Sequence, residues 1–187
     1  MRHGKVGYFA DVVGAPVCAA VLFLLQMADP SWIVRGEWAT YFLLGIGFWT
    51  LAEYVIHRWI YHGVRPFMEL HEAHHSEPHA YIGSPPLLGT ALVFVVIYWP
   101  LSAFSATAAS GTTAGVLLGY MAYQLVHHAT HFWRPPRGSY LYRARQRHSL
   151  HHYHRELGNF GITTGAWDHV FGTVIEARRA GVPTNEV

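Results

Sequence analysis

Four apolar runs, each near the length of a bilayer-crossing helix, constrain this chain more than any other feature. They are Val12 to Ala28, Trp38 to about Ile56, Leu87 to about Phe104, and Thr112 to about Val126. About 20 mostly apolar residues cross the hydrocarbon core; the fourth run is short but extendable at both ends. None carries the polar stripe of a soluble amphipathic helix. Charged residues make up only 13% of the chain, against roughly 25% in soluble domains. Pro16 and Pro100 fall near run ends, where a missing N–H is tolerated. Trp32, Trp38, Trp99 and Trp133 fall near the expected helix ends, as interfacial aromatics do. Arg2 and Lys5 precede the first run as in a signal peptide, but its length and the lack of a small-residue cleavage site favour a retained span.

Basic residues orient the bundle. Arg2 and Lys5 precede span one, Arg58 and Arg65 follow span two, and Arg134, Arg137, Arg143, Arg145, Arg147, Arg155, Arg178 and Arg179 follow span four. Twelve of the 13 basic residues thus share one side, with Arg35 alone opposite. The positive-inside rule places both termini in the cytoplasm. All 15 histidines fall on that side or at its boundary. The formal net charge of +2 argues against a nucleic-acid partner, and the single cysteine, Cys18, supplies no disulfide or thiolate metal site. No repeat or linker divides the chain, so one domain over residues 1–187 is expected.

The histidines form four spaced clusters: His57 and His62 in "HRWIYH"; His71, His74 and His75 in "HEAHH"; His127 and His131 in "HHATH"; His148, His151 and His152 in "HSLHH". Residues three and four apart share a helix face, so each triplet can point one way and His127 aligns with His131. His57 and His62, five apart, fit one ion poorly on an ideal helix; they serve two neighbouring ions or straddle a helix end. Ten imidazoles exceed the four ligands of a tetrahedral zinc site, and two ions with about five ligands each would use them all. His3, His128 and His169 read as structural or surface residues, and His79 and His154 break the spacing.

His71, Glu72 and His75 also fit the zinc-protease pattern H-E-x-x-H, in which the glutamate is the general base. The fourth cluster repeats the histidine spacing with Ser149 in place of Glu72, so the repeated element is H-x-x-H-H and Glu72 is incidental. Ligating histidines usually donate their second N–H to a carboxylate, carbonyl or water. Glu53, four residues before His57 on the same face, and Asp168 are the expected outer partners.

The stretches "EYVIHRWIYH", "HEAHHSEPHAYIGSPP", "GYMAYQLVHHATH" and "HSLHHYHRELGNFGITTGAWDHVFGT" occur in that order between about Glu53 and Thr173. Together they resemble the fatty acid hydroxylase and sterol desaturase superfamily of membrane di-metal oxygenases. The tail "NFGITTGAWDHVFGT" and the pair Pro85–Pro86 are closest to its fatty-acid hydroxylase branch. The resemblance implies an all-α integral membrane four-helix bundle capped by a cytosolic helical lobe with a histidine-rich di-metal site. It implies that the ten patterned histidines are the metal ligands, and that O2-dependent C–H oxidation of a lipid chain is the activity. It departs from the family at Gln124, where eukaryotic 2-hydroxylases tend to carry an acid, and no fused cytochrome b5 module is expected.

Oxidising a saturated C–H bond needs a redox metal, which zinc is not. Two iron ions with O2 as co-substrate are therefore expected, although zinc could occupy the site in purified protein. Electrons would come from a separate cytochrome b5- or ferredoxin-type donor, and the lipid would enter from the bilayer. Tyr54, Trp59, Tyr61, Phe132 and Trp133 are candidates to line its groove, and Arg143, Arg145 and Arg147 to meet its head group. The alternatives are a lipid, sterol or carotenoid desaturase or hydroxylase of the same superfamily and a non-catalytic membrane zinc-binding protein. A transporter fits less well, because the histidines gather at one edge.

Overall fold

The computed structural model describes residues 1–154 and 157–176. In chain order the helices are α1 (Lys5–Tyr8), α2 (Ala10–Met27), α3 (Trp32–Val55), a π-helix (Ile56–Tyr61), α4 (Phe67–Ser76), α5 (Leu88–Val93), a second π-helix (Phe94–Tyr98), α6 (Trp99–Ser102), α7 (Ala106–Phe132), α8 (Tyr140–Tyr153) and α9 (Ala166–Val170). The only β-pairing among the described residues is an isolated bridge between Arg2 and Ile82, so the all-α expectation holds. Two compact units are distinguishable, residues 1–49 with 81–122 and residues 50–80 with 123–187.

The first unit exposes much of its apolar surface. Large apolar side chains of α2 and α3 face outward, among them Leu24, Leu25, Leu43, Leu44 and Phe48, while the buried positions include Ala15, Ala19, Ala108, Ala109 and Ala114. Small residues at helix contacts and large ones outside are the pattern of helices packed in lipid, where close backbone approach replaces the hydrophobic drive. Gly111, Gly115 and Gly119 recur every fourth residue on α7 and so share one face. A Cβ on Gly115 would stand 2.1 Å from the Phe42 carbonyl oxygen, and one on Gly111 2.7 Å from that of Trp38. From the other side, a Cβ on Gly45 would lie 2.4 Å from the Thr112 oxygen. In the same unit, the buried Asp11 accepts bonds from the Thr90 amide (2.9 Å) and hydroxyl (2.6 Å).

Among the described residues, length and apolar composition sufficient to cross a bilayer are met by two helical stretches, Ala10–Met27 and Trp32–Tyr61. The third expected span is a shorter apolar helical run, Leu88–Ser102. The fourth lies within α7, whose Gly, Ser, Thr and His content dilutes its apolar character. Pro16 falls within α2 rather than near its end. Pro100 occupies the first turn of α6, where its missing donor costs little. Trp32 and Trp99 are exposed, as interfacial anchors would be, but Trp38 is not. Its ring stacks on Phe42 at 5.2 Å and its indole N–H donates to the Ser110 hydroxyl, so it serves packing.

In the second unit, sequence punctuation fixes the ends of the histidine-bearing helices. Pro135 and Pro136 follow α7 and prevent its extension. Gly138 then adopts a left-handed φ of 79°, and the Ser139 side chain caps α8 by accepting from the Tyr142 amide. Arg155, Arg178 and Arg179 lie outside the described residues.

Candidate metal centre

All four histidine clusters lie in the second unit. His57 rides on the π-helix and His62 follows it; α4 carries the first triplet, the last turns of α7 carry His127 and His131, and α8 carries the second triplet. The π-helix explains the awkward five-residue spacing. Its i→i+5 ladder brings His57 and His62 to one face, with ring centroids 5.4 Å apart. They converge on one group, not on two neighbouring ones.

The ten imidazoles sort into two sets of five: His57, His62, His71, His75 and His151, and His74, His127, His131, His148 and His152. Within each set the potential ligand atoms lie within 4.8 Å of one another. Each triplet is divided between the sets, which its spacing alone did not suggest. The i, i+4 pair of α4 (His71 and His75) goes to the first and His74 to the second. On α8 the pair (His148 and His152) goes to the second and His151 to the first. The sets adjoin, with the His75 and His152 rings stacked 4.0 Å apart.

Donor chemistry and spacing fit a metal ion in each set. In the first, Nε2 atoms follow one another at 3.1 Å (His57 to His71), 3.0 Å (His71 to His75), 3.1 Å (His75 to His151) and 3.2 Å (His151 to His62). In the second, His127, His131, His148 and His152 follow at 3.2, 2.8 and 3.0 Å, and the buried His74 Nε2 has no hydrogen-bond partner among the described residues. The Nδ1 atoms of His57 and His151 donate to the Phe160 and Gly158 carbonyls, at 2.6 and 2.8 Å. Their Nε2 atoms therefore carry lone pairs turned toward other imidazoles, an arrangement a cation stabilises. With metal–nitrogen bonds of about 2.1 Å, ligands at right angles lie about 3.0 Å apart and tetrahedral ones about 3.4 Å. The observed spacing matches the former, a site with more than four positions.

Burial is the main cause that pushes His74 and His75 down to about 4 and His151 to about 3. The His71 and His152 rings are held well below the ordinary 6.5 for the same reason. These rings are neutral at pH 7 and present free lone pairs. Because the unfolded chain takes up protons first, their contribution to stability is complete above about pH 6.5 and declines as pH falls through about 4. The metal-stripped protein is expected to melt at lower temperature at pH 5 than at pH 7, which thermal unfolding at the two values checks.

The tail after α8 stands behind the first set. Asp168 accepts from the Phe160 and Gly161 amides, at 2.8 and 2.9 Å. Glu53 accepts from the Ile162 and Thr163 amides, at 2.6 and 2.8 Å, and from the Thr163 hydroxyl at 2.6 Å. Glu53 and Asp168 thus bond to this loop rather than to an imidazole. Asn159, with a left-handed φ of 52°, holds Ile175 through both ends of its amide. A Cβ on Gly161 would stand 2.0 Å from the Thr164 oxygen and 2.9 Å from an Asp168 carboxylate oxygen. Gly161→Ala is expected to destabilise the fold by about 1–3 kcal/mol, the usual range for overpacking, read by thermal unfolding.

Among the other residues singled out in the sequence, Tyr54 and Arg147 depart from expectation. Tyr54 is fully buried, stacked on Phe171 with its hydroxyl bonded to Arg58 and Thr173, so it lines no open groove. Tyr61 stacks on His71, and Phe132 packs against His128 and His79, while Trp59 and Trp133 are exposed. Arg143 and Arg145 donate to the Gly138 and Trp133 carbonyls, and Arg147 turns to the Ile162 carbonyl rather than outward. Glu72 and His169 are exposed, and His3 pairs with the Gly83 carbonyl. Sequence reasoning missed the Phe160 and Gly158 carbonyls and the roles of Thr163 and Asn159. The only signal was the tail motif itself.

Helices bearing four histidine boxes, gathered as two five-imidazole sets, define a histidine-box protein whose clusters could each hold a metal ion. The family model for fatty acid hydroxylase matches residues 42–173, and the chain belongs to that family. It is 39% identical over 147 residues to a fatty acid 2-hydroxylase of Macaca fascicularis, a match covering 72% of this chain and 39% of that protein. It is 31% identical over 165 residues to a dihydroceramide fatty acyl 2-hydroxylase of Arabidopsis thaliana, covering 82% and 68%. The chain thus spans about 39% of the length of the mammalian relatives. The solved hydroxylase domain of full-length scs7p has the same fold, with a TM-score of 0.78, 24% identity, and coverage of 91% of this chain and 67% of that one.

Proposed function

We propose that this protein hydroxylates a fatty acyl chain, free or in a ceramide-type lipid, at the carbon next to the carbonyl. The reading rests on one observation above all, the ten patterned histidines gathered as two five-nitrogen sets in a chain of the fatty acid hydroxylase family. His57, His62, His71, His75 and His151 would hold one iron ion, and His74, His127, His131, His148 and His152 the other. Bound iron would supply the redox chemistry that activates O2, which imidazole ligation suits and zinc lacks. Overall, the C–H bond, O2, two electrons and two protons give the alcohol and water.

The chain's own residues orient and enclose. The Phe160 and Gly158 carbonyls fix the tautomers of His57 and His151. Tyr61, stacked on His71, and the buried Phe160, against His57, His62 and His151, keep the surroundings of the first set apolar and help exclude water. A separate cytochrome b5- or ferredoxin-type protein delivers the electrons. The four apolar runs make four spans, with both termini and the histidines on the arginine-rich cytoplasmic side, and the lipid enters from the bilayer.

Iron-loaded protein supplied with reductant, O2 and a ceramide or fatty acid should yield a product one oxygen heavier by mass spectrometry. Loss of two hydrogens would make the chain a desaturase. No product from acyl, sterol or carotenoid substrates would leave the non-catalytic zinc reading.

A further inference from the structure

The two histidine sets have equal numbers of donors but differ in what stands behind them. In the first, His57 and His151 each donate from Nδ1 to a main-chain carbonyl. In the second, the Nδ1 atoms of His148 and His152 are buried and have no hydrogen-bond partner among the described residues. Both carbonyls belong to one short loop, residues 158–163. Its amides at Phe160, Gly161, Ile162 and Thr163, four in succession, all donate to just two carboxylates, Asp168 and Glu53. Each acid is almost fully buried, 1% and 2% exposed, and a third bond ties each down. Asp168 accepts from the Thr173 hydroxyl at 2.7 Å, and Glu53 from that of Thr163. With its amides held on one side, the loop turns the Gly158 and Phe160 oxygens toward the imidazoles.

We infer that the two ion positions are inequivalent, and that Glu53 and Asp168 are positioning residues for the first alone, acting through the 158–163 loop. The inference rests on the two-ion reading above. A ring whose Nδ1–H is bonded to a carbonyl has a fixed tautomer, a fixed orientation and a more basic Nε2. Losing such an outer partner costs about 10–100-fold in metal affinity. The His57 set is therefore the tight position. The His74 set, with two unbraced rings, is the weaker and more exchangeable one.

Titrating metal-stripped, purified full-length chain with Co2+ tests this by calorimetry and by the visible spectrum of the bound ion. Wild type should take up two ions in steps separated by about 10–100-fold. His62→Ala should delete the tight step and His74→Ala the weak one, which assigns each step to a set. Asp168→Asn forces an amide nitrogen against a main-chain N–H. It should weaken the tight step by about 10–100-fold, alter the spectrum of that ion, and leave the weak step unchanged. Thr163→Val removes one hydroxyl bond while keeping the side-chain shape, and should act in the same direction more mildly; it carries the comparison if Asp168→Asn does not fold. Equal weakening of both steps, or weakening of the weak step alone, overturns the inference. Fewer than two ions on wild type overturns the two-ion reading itself.

Discussion

His151→Ala and His74→Ala are each expected to leave one ion per chain where the unaltered protein holds two, and each to abolish hydroxylation. Both residues sit in the middle of an H-x-x-H-H box, so sequence alone makes them equivalent to their neighbours. The fold separates them. His151, 1% exposed, has its Nε2 at 3.2 Å from that of His62 and 3.1 Å from that of His75, while His74 belongs with His127 and His131. Removing a ligand should exceed the roughly 10–100-fold cost of removing a mere outer partner, so an affinity loss above about 100-fold is expected at the affected position. The double variant should retain no metal. Glu72→Ala, at an exposed position between His71 and His74, should change neither metal content nor activity; a metalloprotease would lose its base there. Elemental analysis and acyl-product assays read all four proteins.

Gly115→Val should prevent accumulation of folded protein. A Cβ at this position would meet the Phe42 carbonyl oxygen at 2.1 Å, the Ile46 nitrogen at 2.9 Å and the Phe42 carbonyl carbon at 3.0 Å. These are backbone atoms, which cannot swing aside as a flexible side chain can. Either α3 and α7 part within the first unit, or the valine does not fit. The cost should exceed the roughly 1–3 kcal/mol of ordinary overpacking. Parting the helices also forfeits the close contact at Gly111 and Gly45, and in lipid that contact is the main source of association. Yield in membranes and thermal unfolding in detergent check it. Gly36→Ala, where a Cβ meets nothing within 4 Å, should be harmless.

The site was more legible in the sequence than the scaffold around it. Spaced histidines announce themselves, because few structural roles place imidazoles at i, i+3 and i+4 twice in one chain. Their division was hidden, since His71, His74 and His75 share a helix face whichever ion they serve. The His57–His62 spacing resisted reading because it depends on a π-helical turn, a rare departure from the default period. The outer shell was mostly invisible, because main-chain carbonyls at Gly158 and Phe160 supply what side chains were expected to supply. Glu53 and Asp168 were recognisable as buried acids near the site, but not as clamps on a loop more than 100 residues after Glu53 in the sequence. In the first unit the apolar runs showed where helices form. The Gly111–Gly115–Gly119 face went unread, since glycine spacing carries meaning only once a partner helix lies against it.

X-ray absorption at the iron edge, combined with metal counting on the same sample, reads directly whether the ten histidines hold two ions. Two ions per chain are expected, each surrounded by about five nitrogen ligands at about 2.1 Å, with a second ion a few ångströms away. A single ion per chain, or a four-coordinate shell with fewer imidazoles, would contradict this expectation.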